Sequence, residues 1–315
     1  MCEQSPTLRA AVEMRRSIQL HAARQRDQLM AELSDVQTPI VMPAYASLLA
    51  HEPAGYSRLA EPLLRAHRLL CEKLSSDIVV RFNACLMLDA LARFEPDAGP
   101  CRLPPSVLAL YPRELERILL RARGLERCEL QDDTFLKDLA ILTHRLIPVG
   151  AEFVDPHSGV PRSIAWQLPW RERSRFIRLL AFQLRGFRPM FELHAHVLSL
   201  QDFNEDGWIA TYHRLAELLA LNPRFRGWMS ASWFLDPALE GISPHLAYLR
   251  QFPCRHGASL FKVADDGAGR SGALSRSSTR QRLYQEGRYV PAIYMRVWPR
   301  SSVLRWHRQA AAEWI

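Results

Sequence analysis

The stretch MFELHAHVLSL, residues 190–200, alternates apolar with polar residues and begins a regular succession of strand-like and helix-like segments. Successive side chains of a β-strand point to opposite faces of its sheet. A strand here places Glu192, His194 and His196 on one face, opposite an apolar row that starts at Phe191. We predict that this polar row faces a cleft in a mixed sheet.

Segments on both sides of this stretch extend the pattern. The downstream runs GWMSASWFL, GASLFKVA and AIYMRVW are predicted strands, and EDGWIATYHRLAELLAL and STRQRLYQEG are predicted helices between them. Strands that alternate with helices are typical of a sheet with helices packed on its faces. Upstream, LIPVGAEFV and VPRSIAWQL flank the turn-like segment DPHSG and are predicted to form a hairpin.

The first 145 residues carry apolar residues at three- and four-residue spacing, as in YSRLAEPLLRAHRLLCEKL and PRELERILLRARGL. This spacing predicts amphipathic helices. The predicted fold class is therefore α+β. A helical region, residues 1–145, precedes a mixed α/β region, residues 146–315, which holds the site.

Composition restricts the class of protein. A chain of 315 residues that is 48% hydrophobic is typical of a globular protein. No run approaches the roughly 20 apolar residues that cross a bilayer, and the N-terminus lacks the apolar core of a secretory signal. We therefore predict a cytoplasmic protein without a membrane span. The six cysteines form no C-x-x-C pair, which predicts reduced thiols rather than a disulfide framework or zinc knuckle.

The net charge of +8 is concentrated near the C-terminus. Residues 251–315 contain eleven Lys and Arg residues against four Asp and Glu residues, so this last fifth of the chain carries a net charge of +7. Nearly all of these cations are arginine, which suits bidentate contact with phosphate or carboxylate. Four explanations remain open: a solvated basic face, an anionic cofactor, an acidic protein partner or nucleic acid.

The polar row of residues 190–200 has three interpretations. Two histidines two residues apart in a strand can bind one metal ion, with Glu192, His194 and His196 as candidate ligands. Alternatively, Glu192 accepts a proton from an amine or water and His194 assists it. The third interpretation is the solvated face of an ordinary sheet. Because no further metal-ligand motif is visible, we favour Glu192 as a general base.

A second predicted strand supports a ligand cleft. In GWMSASWFL, alternation places Trp228, Ser230 and Ser232 on one side. A sheet covered by helices is normally lined by aliphatic residues, so a polar and aromatic lining favours a binding site. We predict that these three residues contact substrate.

The loop ADDGAGRSGALSRSSTRQRL, residues 264–283, is predicted to hold an anion. Its glycines allow backbone N–H groups to converge, and Ser277, Ser278 or Thr279 can cap the following helix. The predicted anion ligands are Arg270, Arg276, Ser278 and Arg280. A flexible surface loop is the alternative, and the loop matches neither of the common nucleotide-binding glycine patterns.

Aromatic residues also lie among the C-terminal arginines, at Tyr289, Tyr294, Trp298 and Trp306. Aromatic and basic side chains together bind single-stranded nucleic acid. These aromatics fall within a predicted strand and helix, where packing in the core is more usual. We therefore do not expect nucleic acid as a partner through these residues.

From Met190 onward, the order of strands and helices resembles the acyl-CoA N-acyltransferase (GNAT-like) superfamily, which includes N-acyl amino acid and acyl-homoserine-lactone synthases. The resemblance covers about 125 residues and rests on this order of elements. It implies that Glu192 is the base near the acceptor amine and that His194 assists it. LQDFNEDGW stands where the family has its R/Q-x-x-G-x-G/A pyrophosphate loop, and an extra helix separates the last two strands.

We therefore expect an acyltransferase that moves an acyl group from a CoA or acyl-carrier-protein thioester to a small-molecule amine. The thioester is a co-substrate, and no permanently bound cofactor or metal is expected. An acidic carrier protein fits the basic C-terminal region better than CoA. The alternatives are a metal-dependent enzyme that uses the row at 192–196 and a nucleic-acid or protein-binding module that uses the basic C-terminal region.

Overall fold

The computed structural model describes residues 6–33, 55–56, 61–198, 200–267, 269, 271–275 and 277–313. The protein is a mixed α+β protein with a helical N-terminus, as predicted. Its described residues form two compact units, one from residues 1–157 and 195–201 and the other from residues 158–194 and 202–315. A domain boundary at 145/146 stays a prediction.

The first unit consists mainly of helices. They are α1 (Pro6–Glu32), α2 (Glu61–Lys73), α3 (Ser76–Ala92), α4 (Pro105–Leu108), α5 (Tyr111–Arg123) and α6 (Asp133–Leu142). Helix α3 is apolar on most sides and is buried between neighbours, and α1 packs against both α3 and α5. Helix α6 begins where the Asp132 side chain accepts hydrogen bonds from the N–H groups of Thr134 and Phe135 (2.7 and 3.3 Å).

A hairpin follows α6, but its turn differs from the prediction. Strands β1 (Ile147–Pro148) and β2 (Phe153–Gly159) are antiparallel, so DPHSG lies within β2 instead of forming the turn. The chain reverses at Gly150, whose φ of 121° favours glycine. The segment VPRSIAWQL was expected to be a strand, and it contains a short helix, α7 (Ile164–Gln167).

The second unit alternates helices with strands. After α7 come α8 (Trp170–Arg178), a π-helical turn (Leu179–Leu184), β3 (Pro189–His194), α9 (Glu205–Leu221), β4 (Gly227–Ser232), α10 (Leu239–Ile242), α11 (Ala247–Arg255), β5 (Ser259–Asp265), α12 (Ser278–Gln285), β6 (Ala292–Pro299) and α13 (Arg300–Glu313). Within the described residues, no helix is long and apolar enough to cross a membrane.

The strands of this unit lie in the order β3-β4-β6-β5. Strands β3 and β4 are parallel and joined by α9, while the β4–β6 and β6–β5 pairs are antiparallel. The β3–β4 pairing is short, since it joins Phe191 to Trp228 and Glu192 to Met229. The register pairs no residue after Glu192 in β3 with a residue after Met229 in β4.

The pairing register assigns side chains to the two faces of this sheet. Because paired residues point to the same side, Glu192 shares a face with Met229, while Ser230 shares the opposite face with Arg296. The first face is covered by an apolar cluster from the α7–α8 region that includes Phe176. The other face packs against aromatic residues from α9 and α13.

Candidate functional site

Three polar side chains lie together at the end of β3. Ser158 Oγ donates a hydrogen bond to Glu192 Oε2, and His194 Nε2 lies 3.8 Å from the same oxygen. The Glu192 and His194 side chains are 27% and 21% exposed, although the Nε2 atom of His194 is itself buried. Alternation along β3 places Glu192 and His194 on one face, and Ser158 comes from β2.

The third member of the predicted row, His196, is placed differently. Strand β3 ends at His194, so the alternation that would put His196 beside Glu192 does not continue. The His196 imidazole is fully buried, where Nε2–H donates to Asp138 Oδ1 (3.0 Å) and Nδ1 accepts from the N–H of Leu198 (3.2 Å). These two bonds fix a neutral Nε2–H tautomer.

The described residues contain no group of three or more His, Cys, Asp and Glu side chains that is placed to hold a metal ion. Metal binding by Glu192, His194 and His196 therefore has no further support from the described part of the chain. It stays a prediction.

Asp138 belongs to a buried ionic cluster in the first unit that the sequence analysis did not identify. Its carboxylate accepts hydrogen bonds from Arg117 and His196 and forms an ion pair with Arg121 (2.5 Å), although the carboxylate is completely buried. Burial alone would raise the pKa of the Asp138 carboxyl. The His196 hydrogen bond and the two positive charges outweigh burial and hold this pKa below its ordinary value.

A sequence signal for this cluster does exist. Arg117 and Arg121 are four residues apart on α5 and so share one helix face. Asp138 lies within the apolar run of α6. A charge in an apolar run indicates a buried partner, but the pattern does not say which partner.

The predicted substrate contacts Trp228 and Ser230 instead surround Arg296, which is 1% exposed. The guanidinium of Arg296 lies 4.6 Å from the ring centre of Trp228 and 5.3 Å from that of Trp208. It also donates to Ser230 Oγ (3.1 Å) and to Tyr212 OH (3.3 Å). Rings and hydroxyls thus stabilise this buried cation within the second unit.

Ser232 has a local role, since its Oγ accepts a hydrogen bond from the N–H of Phe234 (3.4 Å) where a short 3-10 helix begins. The register places Trp228, Ser230 and Ser232 on the face opposite Glu192. The two halves of the predicted cleft therefore lie on different faces of the sheet.

The glycine-rich loop is held together by its own side chains. Arg270 and Arg276 lie outside the described residues. Arg280 is buried, donates to Ala273 O (2.5 Å) and Ser243 Oγ (2.9 Å), and lies over the Trp233 ring. Its guanidinium is therefore engaged by groups of the protein, inside and outside the loop, instead of being exposed to an anion.

Two further features of this loop differ from an open anion site. The Asp266 carboxylate accepts a hydrogen bond from the N–H of Ser271 (2.8 Å), so a carboxylate of the chain already lies where an anion was expected. Ser277 caps α12 by accepting from the N–H of Arg280, while Ser278 is exposed in the first turn.

The start of α9 is acidic. Asn204 caps this helix by accepting from the N–H of Gly207 (2.9 Å), and Glu205 and Asp206 occupy the first turn. A helix N-terminus attracts anions, but these two carboxylates already supply the negative charge. Pyrophosphate binding at this position is therefore disfavoured by like-charge repulsion.

The C-terminal aromatics pack mainly inside the second unit. Tyr289, Trp298 and Trp306 are buried, and Tyr294 is half-buried. Little of their ring surface is available for stacking on nucleobases. This packing gives no support to nucleic-acid binding through these rings.

Comparison with protein-family models, curated proteins and solved structures finds no match to this chain.

Proposed function

We propose that the protein transfers an acyl group from a thioester to an amine at the end of β3, with Glu192 as general base. The observation that carries the proposal is the cluster of Ser158, Glu192 and His194. A partly exposed carboxylate that accepts a hydrogen bond from a hydroxyl is oriented for proton abstraction. The resemblance of the sequence from Met190 onward to N-acyltransferases also favours this reaction.

The proposed reaction needs one proton acceptor beside the amine. Glu192 removes a proton as the amine nitrogen attacks the thioester carbonyl. A C–N bond forms, the C–S bond breaks, and the thiolate leaves and takes up a proton. Ser158 positions the Glu192 carboxylate, and His194 assists Glu192.

The donor can be CoA or an acyl carrier protein. The acidic first turn of α9 argues against a pyrophosphate at that helix, which favours the carrier protein. The net charge of +7 in residues 251–315 is suited to an acidic carrier.

The direct test is product formation. The purified protein is incubated with palmitoyl-CoA or with palmitoyl-acyl carrier protein and a pool of the common amino acids and polyamines. Mass spectrometry then detects N-acyl products, and a thiol reagent measures the released thiol. We expect an N-acyl product whose formation matches thiol release. Thiol release without an amide product would indicate a thioesterase and contradict the proposal.

A further inference from the structure

A segment of the second unit exposes an unusual number of large apolar side chains. Between residues 162 and 188, Trp166, Trp170 and Phe182 are 79%, 77% and 80% exposed, and Ile177 and Phe187 are also largely exposed. Scattered single apolar residues are normal on protein surfaces, but a contiguous group marks an interaction site. We call these five residues, with the arginines between them, the arginine–aromatic surface.

The fold forces these side chains outward. The inward positions of the same segment are filled by residues of the apolar cluster, including Leu168, Phe176 and Leu184. Trp170 and Ile177 are seven residues apart and so lie on one face of α8, while the buried Phe176 points in a different direction. The other apolar residues of the segment therefore stay outside the core and are exposed to solvent.

The surface is strongly cationic. Residues 162–188 contain seven arginines and one acidic residue, Glu172. Four of these arginines are exposed, and their guanidinium groups form no hydrogen bond or ion pair with the described residues: Arg171, Arg178, Arg185 and Arg188. Their charge is thus available to an anionic partner.

Two other arginines of the segment stabilise the fold. Arg173 donates to the carbonyls of Trp166 and Leu168 (3.0 and 3.1 Å). Arg175 donates to Leu260 O (2.9 Å) and lies over the ring of Phe261. The segment is therefore fixed to the sheet while its outer face stays exposed.

From these observations, we infer that the arginine–aromatic surface binds an anionic lipid bilayer peripherally. Tryptophan and phenylalanine side chains insert into the interfacial zone of a bilayer, and arginines beside them attract anionic headgroups. A lipid surface is favoured over an acidic protein because the five apolar residues extend over two helices, a π-helical turn and a loop. A fluid interface accommodates this spread without a matching set of pockets. The inference does not depend on the proposed chemistry at Glu192.

The test is co-sedimentation of the full chain with vesicles of phosphatidylcholine, with and without phosphatidylglycerol. We expect binding to the phosphatidylglycerol vesicles that weakens as salt is added. Replacing two exposed arginines, in Arg171→Gln/Arg178→Gln, should weaken partitioning by roughly thirty-fold. The triple variant Trp166→Ala/Trp170→Ala/Phe182→Ala should show a loss at least as large.

A matched control lies on α5, where Leu120 is 59% exposed and Arg123 is also exposed. The variant Leu120→Ala/Arg123→Gln removes the same kinds of side chain elsewhere and should bind like the wild type. All the substituted side chains are exposed, so circular dichroism should report an unchanged fold.

Three outcomes would overturn the inference. They are no sedimentation with anionic vesicles, equal sedimentation with phosphatidylcholine alone, or full binding by the triple variant. Saturable binding to an acidic acyl carrier protein that is lost in the triple variant, without vesicle binding, would assign the surface to a protein partner instead.

Discussion

His196 Nε2–H donates a hydrogen bond to Asp138 Oδ1 over 3.0 Å, and both side chains are completely buried. The same carboxylate faces Arg117 and Arg121. Asp138 is therefore the only carboxylate of this group of four side chains. Removing its charge takes from Arg121 the carboxylate that it pairs with, while Arg117 keeps its ion pair with Glu114.

The first prediction follows from this arrangement. Asp138→Asn should lower the free energy of unfolding by about 3–5 kcal/mol at neutral pH, the usual cost of removing one partner of a buried ion pair. Urea denaturation measures the change. Asp133→Asn is the matched control because the Asp133 side chain is 57% exposed, although it pairs with Lys137. If Asp133→Asn lowered the free energy of unfolding as much as Asp138→Asn, the burial of Asp138 among the arginines would not explain the effect.

The same carboxylate predicts a pH dependence. Its pKa in the folded protein is lowered, so the unfolded chain binds a proton more readily. The stabilisation is complete above the ordinary pKa of aspartate, about 4, and is lost as pH falls through the lower folded value. Urea midpoints between pH 5 and pH 3 should fall more steeply for the wild type than for Asp138→Asn. Parallel curves would show that Asp138 does not cause the fall.

His213 and His307 predict a second pH effect at higher pH. Their Nδ1 atoms lie 2.9 Å apart, so one ring must donate and the other accept. Burial, and then the charge of His307, lower the pKa of His213, while Glu217 opposes the change. Stability is therefore unaffected well above pH 6.5 and declines as pH falls below it.

The His213→Gln variant tests this second effect. Between pH 7.5 and pH 5.5, the urea midpoint should decrease less in this variant than in the wild type. Part of the loss should remain, because burial also lowers the pKa values of His67 and His144. If the urea midpoint of His213→Gln decreased as much as that of the wild type, the His213–His307 pair would not cause the pH effect.

The buried guanidinium of Arg296 predicts a specific requirement for arginine. In Arg296→Lys, the charge remains but the planar group that stacks against Trp228 and Trp208 is lost. We expect the free energy of unfolding to fall by about 2 kcal/mol or more. Arg308→Lys, at an exposed position of α13, should be neutral. If Arg296→Lys left the free energy of unfolding unchanged, the stacking would contribute little to stability.

Local patterns predicted the elements of the second unit well. Helix α9 spans Glu205–Leu221, which is the predicted segment EDGWIATYHRLAELLAL, because an Asn cap and a first acidic turn define its start. Strand β4 lies in its predicted run, and β5 and β6 each extend one residue beyond theirs. In each case, the spacing of apolar and polar residues within a single segment is enough to predict the helix or strand.

Relationships between distant segments could not be predicted in this way. His196 is 58 residues from Asp138, and Arg296 is 66 residues from Ser230, so no local pattern joins either pair. The alternation at 190–200 also extends beyond β3, because the residues after His194 leave the strand while keeping the same apolar–polar order. The pairing of Glu192 with Met229 then decides which face Glu192 occupies.

The most direct test of the proposed chemistry is the rate of N-acylation by Glu192→Gln. This variant keeps the size of the side chain and its ability to accept a hydrogen bond from Ser158 but removes the base. We expect kcat to fall by about 10²–10⁴-fold, with smaller losses for Ser158→Ala and none for the exposed control Glu205→Gln. A Glu192→Gln variant that acylates amines at the wild-type rate would contradict the account.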